Sequence, residues 1–268
     1  MPPPQRHFGL PAILAALFLL AAAVPVSTTP EQRPAPDAVR LLEAARAAIG
    51  PAVVTAFILK ARRIGQTEVS SSPVEIYALW PQHYLRLTRM MSSVSTVGFS
   101  GTRVLYDFVA PSPENPGGAT EAERVRLEQQ VFASLALLLF ARTDTILALT
   151  PSSTVGVISE GLQVNFRDSG GHVIRLTFDH STRLPVRVDR QVALRNMSGS
   201  PAGRDVSVAL IASGRRGLRG VSVPGRLTTV QDGTTIGEIN VDDLEVNPAL
   251  TPGDFTRYVP PNAGRPPS

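Results

Sequence analysis

The chain has 268 residues, enough for one large domain or two small ones, and its 43% hydrophobic content suits a globular protein with a sizeable core, which excludes disorder throughout. A formal net charge of +4 over this length is a mild bias toward anionic partners such as lipid head groups, without the clustered basic face that nucleic-acid binding demands. The absence of cysteine removes disulfides, thiolate nucleophiles, Cys-type zinc sites, iron–sulfur clusters and a lipidated N-terminal cysteine together.

Arg6 and His7 precede an uncharged apolar run from Leu10 to Val24, closed by Pro25 and a Ser/Thr/Pro stretch. This is the layout of a signal peptide, expected over residues 1–26, and the run is short for a membrane span, which needs roughly 20 apolar residues. An uncleaved N-terminal anchor is the competing reading. Residues 27–36 form a Pro-rich linker. Asp37 then stands as an N-cap ahead of a helix whose apolar face is Val39, Leu42, Ala45 and Ile49, stopped by Gly50 and Pro51.

From residue 52 the apolar period changes to two. Short runs rich in β-branched and aromatic residues follow one another with turn signals between them, the cleanest being HVIRLTFD, where Ile174, Leu176 and Phe178 face one way and Arg175, Thr177 and Asp179 the other. Turns are expected at Gly101 and at Gly170 and Gly171. One segment interrupts this meander: TEAERVRLEQQVFASLALLLFAR, residues 120–142, opens with Thr120 and Glu123 in capping-box spacing and predicts a long helix. Its second half is apolar nearly all round and must be covered by protein, most simply by the concave side of the sheet. It serves either as a packing element or as a movable lid.

Candidate chemistry is sparse. GFSG around Ser100 lacks the spacing and the strand-to-helix setting of a nucleophile elbow. His7, His83, His172 and His180 form no helical metal pair, and His172 and His180 lie roughly 26 Å apart if the strand between them is extended. Asp179 beside His180 reads as a solvated turn at a strand end. The run SGRRGLRG, residues 213–220, lacks the setting of a phosphate-binding loop and reads as an exposed basic loop. In INVDDLEVNPALTPGDF, residues 239–255, four carboxylates gather at Asp242, Asp243, Glu245 and Asp254, without the ligand spacing of a calcium loop. Ile239 and Val241 share a parity that Leu244 and Val246 break, so a bulge at Asp242 and Asp243 is expected, with Asn247 and Pro248 as the stop and Phe255 turned back onto the body. No metal site, catalytic residue or cofactor is expected.

The helix opening DAVRLLEAARAAIG, the strand ending LWP before HYLRL, the hairpin FSGTRVLYDF, the pair FDHSTRLPVRV and the closing INVDDLEVNPALTPGDF together resemble the LolA-like superfamily, over roughly residues 37–258. That group includes periplasmic lipoprotein carriers, outer-membrane lipoprotein-sorting proteins and RseB/MucB-related proteins. The resemblance implies an incomplete antiparallel β-barrel wrapped around helices, enclosing an apolar cavity for acyl chains or another hydrophobic ligand. Where the carriers commonly place a lid-closing arginine before a proline, this chain has Trp80.

The expected fold is therefore α+β and mainly β: a large curled antiparallel sheet, an incomplete barrel, wrapped around an N-terminal and a central helix, in one domain over 37–258 with a flexible tail at 259–268. The expected function is that of an exported, periplasmic, noncatalytic carrier of a lipid or lipidated partner, with an envelope scaffolding protein as the alternative. Trp80, Tyr84, Leu85, Leu87, Phe132, Leu135, Leu138 and Leu139 are expected to line the cavity. Lipid or lipoprotein acyl chains, and an envelope protein in the second reading, are the expected partners. A monomer with at most peripheral membrane contact is expected, with no nucleic acid bound.

Overall fold

The sheet is built from two meanders sewn together by the first and last strands. The computed structural model describes residues 36–50, 53–64, 71–90, 93–106, 121–143, 158–160, 162–167, 173–194 and 204–257. The expected signal peptide, the linker up to residue 35, the capping residue Thr120, the turn at Gly170 and Gly171 and the C-terminal tail lie outside them. Helix α1 (Pro36–Ile49) precedes β1 (Ala56–Arg63), β2 (Ser72–Leu79), β3 (His83–Met90), β4 (Ser93–Ser100) and β5 (Arg103–Tyr106). Helix α2 (Glu121–Phe140) separates these from β6 (Ile158–Glu160), β7 (Gln163–Arg167), β8 (Val173–Phe178), β9 (Pro185–Leu194) and β10 (Arg204–Ser213). A small hairpin, β11 (Arg216–Leu218) and β12 (Val221–Val223), leads to β13 (Arg226–Gln231), β14 (Thr234–Val246) and the short α3 (Pro252–Arg257).

Twelve of these strands form one antiparallel sheet in the order β5-β4-β3-β2-β1-β14-β13-β10-β9-β8-β7-β6. It is open, with β5 and β6 as its edges, and α2 touches strands of both limbs, among them β3, β4 and β5 on one and β9 and β10 on the other. The sheet thus curls around the central helix, as the sequence leads one to expect. Phe132 to Ala141 are all buried, so the apolar half of α2 is covered on every side. Ser134 is accommodated there because its hydroxyl donates to the Gln130 carbonyl at 2.8 Å.

α1 begins at Pro36 rather than after Asp37 and buries Ala38, Leu42, Ala45 and Ile49. Val39, expected on this face, is instead 36% exposed. At 3.6 residues per turn Ala38 is the better phased partner of Leu42 and Ala45, and its smallness hides it in the sequence. The helix ends against the β11–β12 hairpin, where a side chain on Gly50 would come within 2.7 Å of the Gly220 carbonyl oxygen.

The acidic closing strand behaves as its parity slip predicts. Lys60 faces Asp243 and Ala61 faces Val241, leaving Asp242 as the extra residue of a bulge. The slip lets Val241 and Leu244, on either side of it, both face the core. Asn247, in a left-handed conformation at φ 55, ends the strand. Its side-chain oxygen accepts the Thr55 N–H at 2.7 Å and the Ala56 N–H at 3.4 Å, and its amide donates to the Val53 carbonyl at 2.9 Å. Asn and Asp tolerate this backbone better than other side chains.

Beyond it, Asp254 accepts both the N–H (2.7 Å) and the hydroxyl (2.8 Å) of Thr251, which ties down the residue that starts α3. α3 lies against β3 and β4 and presses Phe255, 1% exposed, onto Leu85, Leu87 and Leu105. The sheet therefore has a second, smaller core on its convex side.

The basic run at 213–220 is largely exposed, as its composition suggests, but it is ordered as part of a hairpin and Arg215 is the half-buried exception. Arg215 turns inward and donates to the carbonyls of Ser222 (2.9 Å), Leu138 (2.9 Å) and Pro185 (2.7 Å). Arg216 donates to the Val241 carbonyl at 2.5 Å, and Arg219 pairs with Asp243 at 2.7 Å. Glycines at the turns let the chain pair with itself, and the arginines then serve as tethers between hairpin, helix and sheet.

Candidate functional site

Alternation along the strands decides what the concave face carries. On β3, Tyr84, Arg86 and Thr88 share a face while Leu85 and Leu87 point away. On β2, Val74 and Ile76 share the interior side, with Val74 in register with Thr88 and Ile76 with Arg86. These residues, with Ser95 of β4, Leu210 of β10, Leu227 and Thr229 of β13 and Ile236 to Ile239 of β14, wall a cavity of about 350 Å³. Val131 and Leu135 of α2 face it, and Arg63 stands at its edge from the end of β1.

Of the residues expected to line a cavity, the structure brings Tyr84 and Leu135 to this wall. Trp80, Phe132, Leu138 and Leu139 lie in the packed interior beside it. Trp80 meets Phe57, Phe132 and Phe140 with ring centroids 5.4, 5.2 and 5.8 Å apart, which fills the space around it. The guanidinium carbon of Arg142 lies 4.5 Å from the Trp80 ring centroid. Phe132 also stacks on Tyr84 at 5.6 Å. Leu85 and Leu87 are on the convex face beneath Phe255, because a strand cannot send Tyr84 and Leu85 to the same side.

The electrostatics centre on residues that apolarity alone does not flag. Glu128 of α2 lies between Arg86 of β3 and Arg190 of β9, close enough for each arginine to stabilise its charge. Burial outweighs both and pushes the Glu128 carboxyl up. Burial lowers Arg190 to about 10, against the opposing pull of Glu128 and Tyr84, and pushes the Tyr84 phenol up to about 12. Arg190 Nη1, Glu128 Oε2 and Gln130 Oε1 are buried and have no hydrogen-bond partner among the described residues. Alternation in HYLRLTRM is the signal that places Arg86 beside Tyr84; nothing local in the sequence pairs either with Arg190.

His83 Nδ1 lies 2.8 Å from Ser100 Oγ, but as a cross-strand pair on the convex side, with His83 5.3 Å from the Phe255 ring. Burial lowers the His83 pKa, which favours the neutral ring. Asp179 accepts from the backbone and hydroxyl of both Ser181 and Thr182 at 2.7–3.0 Å, so it organises the β8–β9 turn. Asp242 forms a two-pronged pair with Arg62 at 2.9 and 3.0 Å. Among the described residues no three His, Asp or Glu side chains gather as a metal site, and no helix is long and apolar enough to cross a membrane.

No family model and no curated protein matches this sequence. Among solved structures it is similar to a LolA superfamily protein from Nitrosomonas europaea, at 11% identity and TM-score 0.46, covering 81% of this chain and 96% of that one. A domain from Vibrio parahaemolyticus described as an outer membrane lipoprotein-sorting protein is similar at 12% identity and TM-score 0.40, covering 83% of this chain and 98% of that one. A DUF1329 family protein from Desulfovibrio piger is similar at 10% identity and TM-score 0.35, with 81% and 93% covered.

Proposed function

We propose that this chain is an exported, noncatalytic carrier or binding protein of the bacterial cell envelope, which takes an acyl chain of a lipid or lipidated partner into its half-barrel. The observation that carries this reading is the cavity of about 350 Å³ between the concave sheet face and α2. That volume is at the small end of ligand pockets, whose usual range is roughly 300–1,000 Å³, and so suits one chain better than several. Burial of an acyl chain is favourable by about 0.8 kcal/mol per CH₂, so shape and apolarity suffice without a catalytic group. Tyr84 and Leu135 line the site in this reading, and Trp80, Phe132, Leu138 and Leu139 form its packed floor.

The test is native mass spectrometry of the purified protein, with organic extraction of any bound lipid. A copurifying lipid, displaced by added fatty acid, is the expected result. A protein that copurifies with no lipid and takes up none, yet forms a stable complex with an envelope protein, would replace the carrier reading with the scaffolding one.

A further inference from the structure

The cavity is not uniformly greasy, and its polar residues are grouped. β3 and β4 contribute Arg86, Thr88 and Ser95, with Thr88 and Ser95 directly opposite each other in the ladder. β10, β13 and β14 contribute Leu210, Leu227, Ile236 and Ile239, interrupted by Thr229. One wall therefore offers a guanidinium and two hydroxyls, and another offers hydrocarbon.

The charges are also unbalanced. Arg86 and Arg190 share one carboxylate, Glu128, and Arg63 adds a further cation at the edge. Neither Arg63 nor Arg86 makes a salt bridge among the described residues. Glu238 belongs to the lining, but its carboxylate accepts from Thr228 Oγ1 at 3.2 Å, and Thr228 points away from the face shared by Leu227 and Thr229. The buried Nη1 of Arg190 has no acceptor among the described residues, but Arg190 is not part of the lining. The guanidinium that does line the cavity is that of Arg86, and an arginine fork matches the oxygens of a carboxylate or phosphate.

Building on the acyl-chain reading, we infer that the ligand is an anionic amphiphile, its acidic head held at Arg86, Thr88 and Ser95 and its tail laid along Leu135, Leu210 and Ile239. Glu128 works against the head group by repulsion. Its carboxyl is drawn toward the neutral form by burial, which reduces that repulsion.

The experiment is titration of the wild-type protein with dodecanoate, dodecyl phosphate, dodecanol and dodecyltrimethylammonium, followed by displacement of a polarity-sensitive dye. Both anions are expected to bind about tenfold more tightly than dodecanol, the gain from one charge-assisted contact. Arg86→Gln brings the ratio of anion to dodecanol affinity toward one, while Arg86→Lys keeps part of the preference. Equal affinity for dodecanoate and dodecanol in the wild type, or tighter binding of the cation, overturns the head-group assignment and leaves the acyl site standing. Failure of all four to bind overturns the acyl reading itself. Because the ligand series is run on the unaltered protein, misfolding of a variant cannot mask either result.

Discussion

The guanidinium of Arg215 donates to the main-chain carbonyl of Leu138 at 2.9 Å, joining the small hairpin to the last turn of the central helix across 77 positions of sequence. Arg46 makes the matching contact from the other helix, to the Ala141 carbonyl at 3.1 Å. The C-terminus of α2 is therefore held from two sides, at the end where helix carbonyls lack intrahelical donors and favour a cation. Burial lowers Arg215 only to about 10, so it stays charged at neutral pH. Arg215→Ala leaves three carbonyls without this donor and is expected to cost about 3 kcal/mol in urea denaturation. Arg215→Lys should recover less than half, since an ammonium cannot span the carbonyls of Leu138, Pro185 and Ser222.

Gly98 is the position on β4 where any side chain meets main chain. A Cβ there would lie 2.0 Å from the Tyr84 carbonyl oxygen and 2.9 Å from the Leu85 Cα. Neither atom can move without opening the β3–β4 ladder. Gly98→Ala is expected to lower stability by about 3 kcal/mol, read as a fall in the denaturation midpoint. Gly101→Ala, whose added carbon meets nothing within 4 Å, is the comparison that separates crowding from its own positive φ of 60.

Asp179 gives the fold an acid sensitivity of predictable sign. Hydrogen bonds from Ser181 and Thr182 hold its carboxyl well below the usual carboxylate range. A depressed native pKa contributes stability that is complete above the unfolded value of about 3.9 and is lost as pH falls from there through the native value. The stability gap between wild type and Asp179→Ala should therefore be constant from pH 7 down to about 5 and narrow progressively below about 4. Denaturation curves at pH 7, 5, 4 and 3 check this, and a gap that widens in acid would refute it.

Filling the cavity should separate binding from folding. Leu135 is 4% exposed yet borders open space, so a larger ring at this position has room on one side. Leu135→Trp is expected to lower uptake of a fluorescent fatty acid about tenfold or more while shifting stability by less than about 2 kcal/mol. Unchanged uptake would place the acyl chain elsewhere.

Phe255 joins α3 to the convex core. Phe255→Ala removes the only α3 residue described as buried there and is expected to cost about 3 kcal/mol. Loss of the ring contact should also raise the His83 pKa toward its ordinary value, measurable by NMR titration, because burial is what lowers it.

How far the sequence could be read is clearest on β3. Alternation alone identifies HYLRLTRM as a strand, and apolarity then assigns its leucines to the interior. The structure reverses this: Leu85 and Leu87 face outward and Arg86 faces the cavity. The reversal arises because α3, from about 170 positions later in sequence, supplies an apolar cover on the convex side, so both faces of β3 are buried and hydrophobicity loses its directional meaning. The β14 bulge was legible because its cause is local, a change of parity within six residues. The gathering of Arg86 and Arg190 around Glu128 was not, since it depends on how a sheet curls around a helix. Arg215 was misplaced for the same kind of reason: its three acceptors come from three separate segments.

The single β1–β14 seam also has a meaning for synthesis. The strands β1 to β5 can pair among themselves as soon as they emerge, and β6 to β10 likewise, but the limbs have no strand contact until β14 is complete. Phe57 must find Val246 and Leu59 must find Leu244, which are among the most distant pairings available to the chain. Contacts of such separation are slow to form. During translation the edge of β1 is thus a vacant template, apolar on its inner face, and it closes only when β14 has been made.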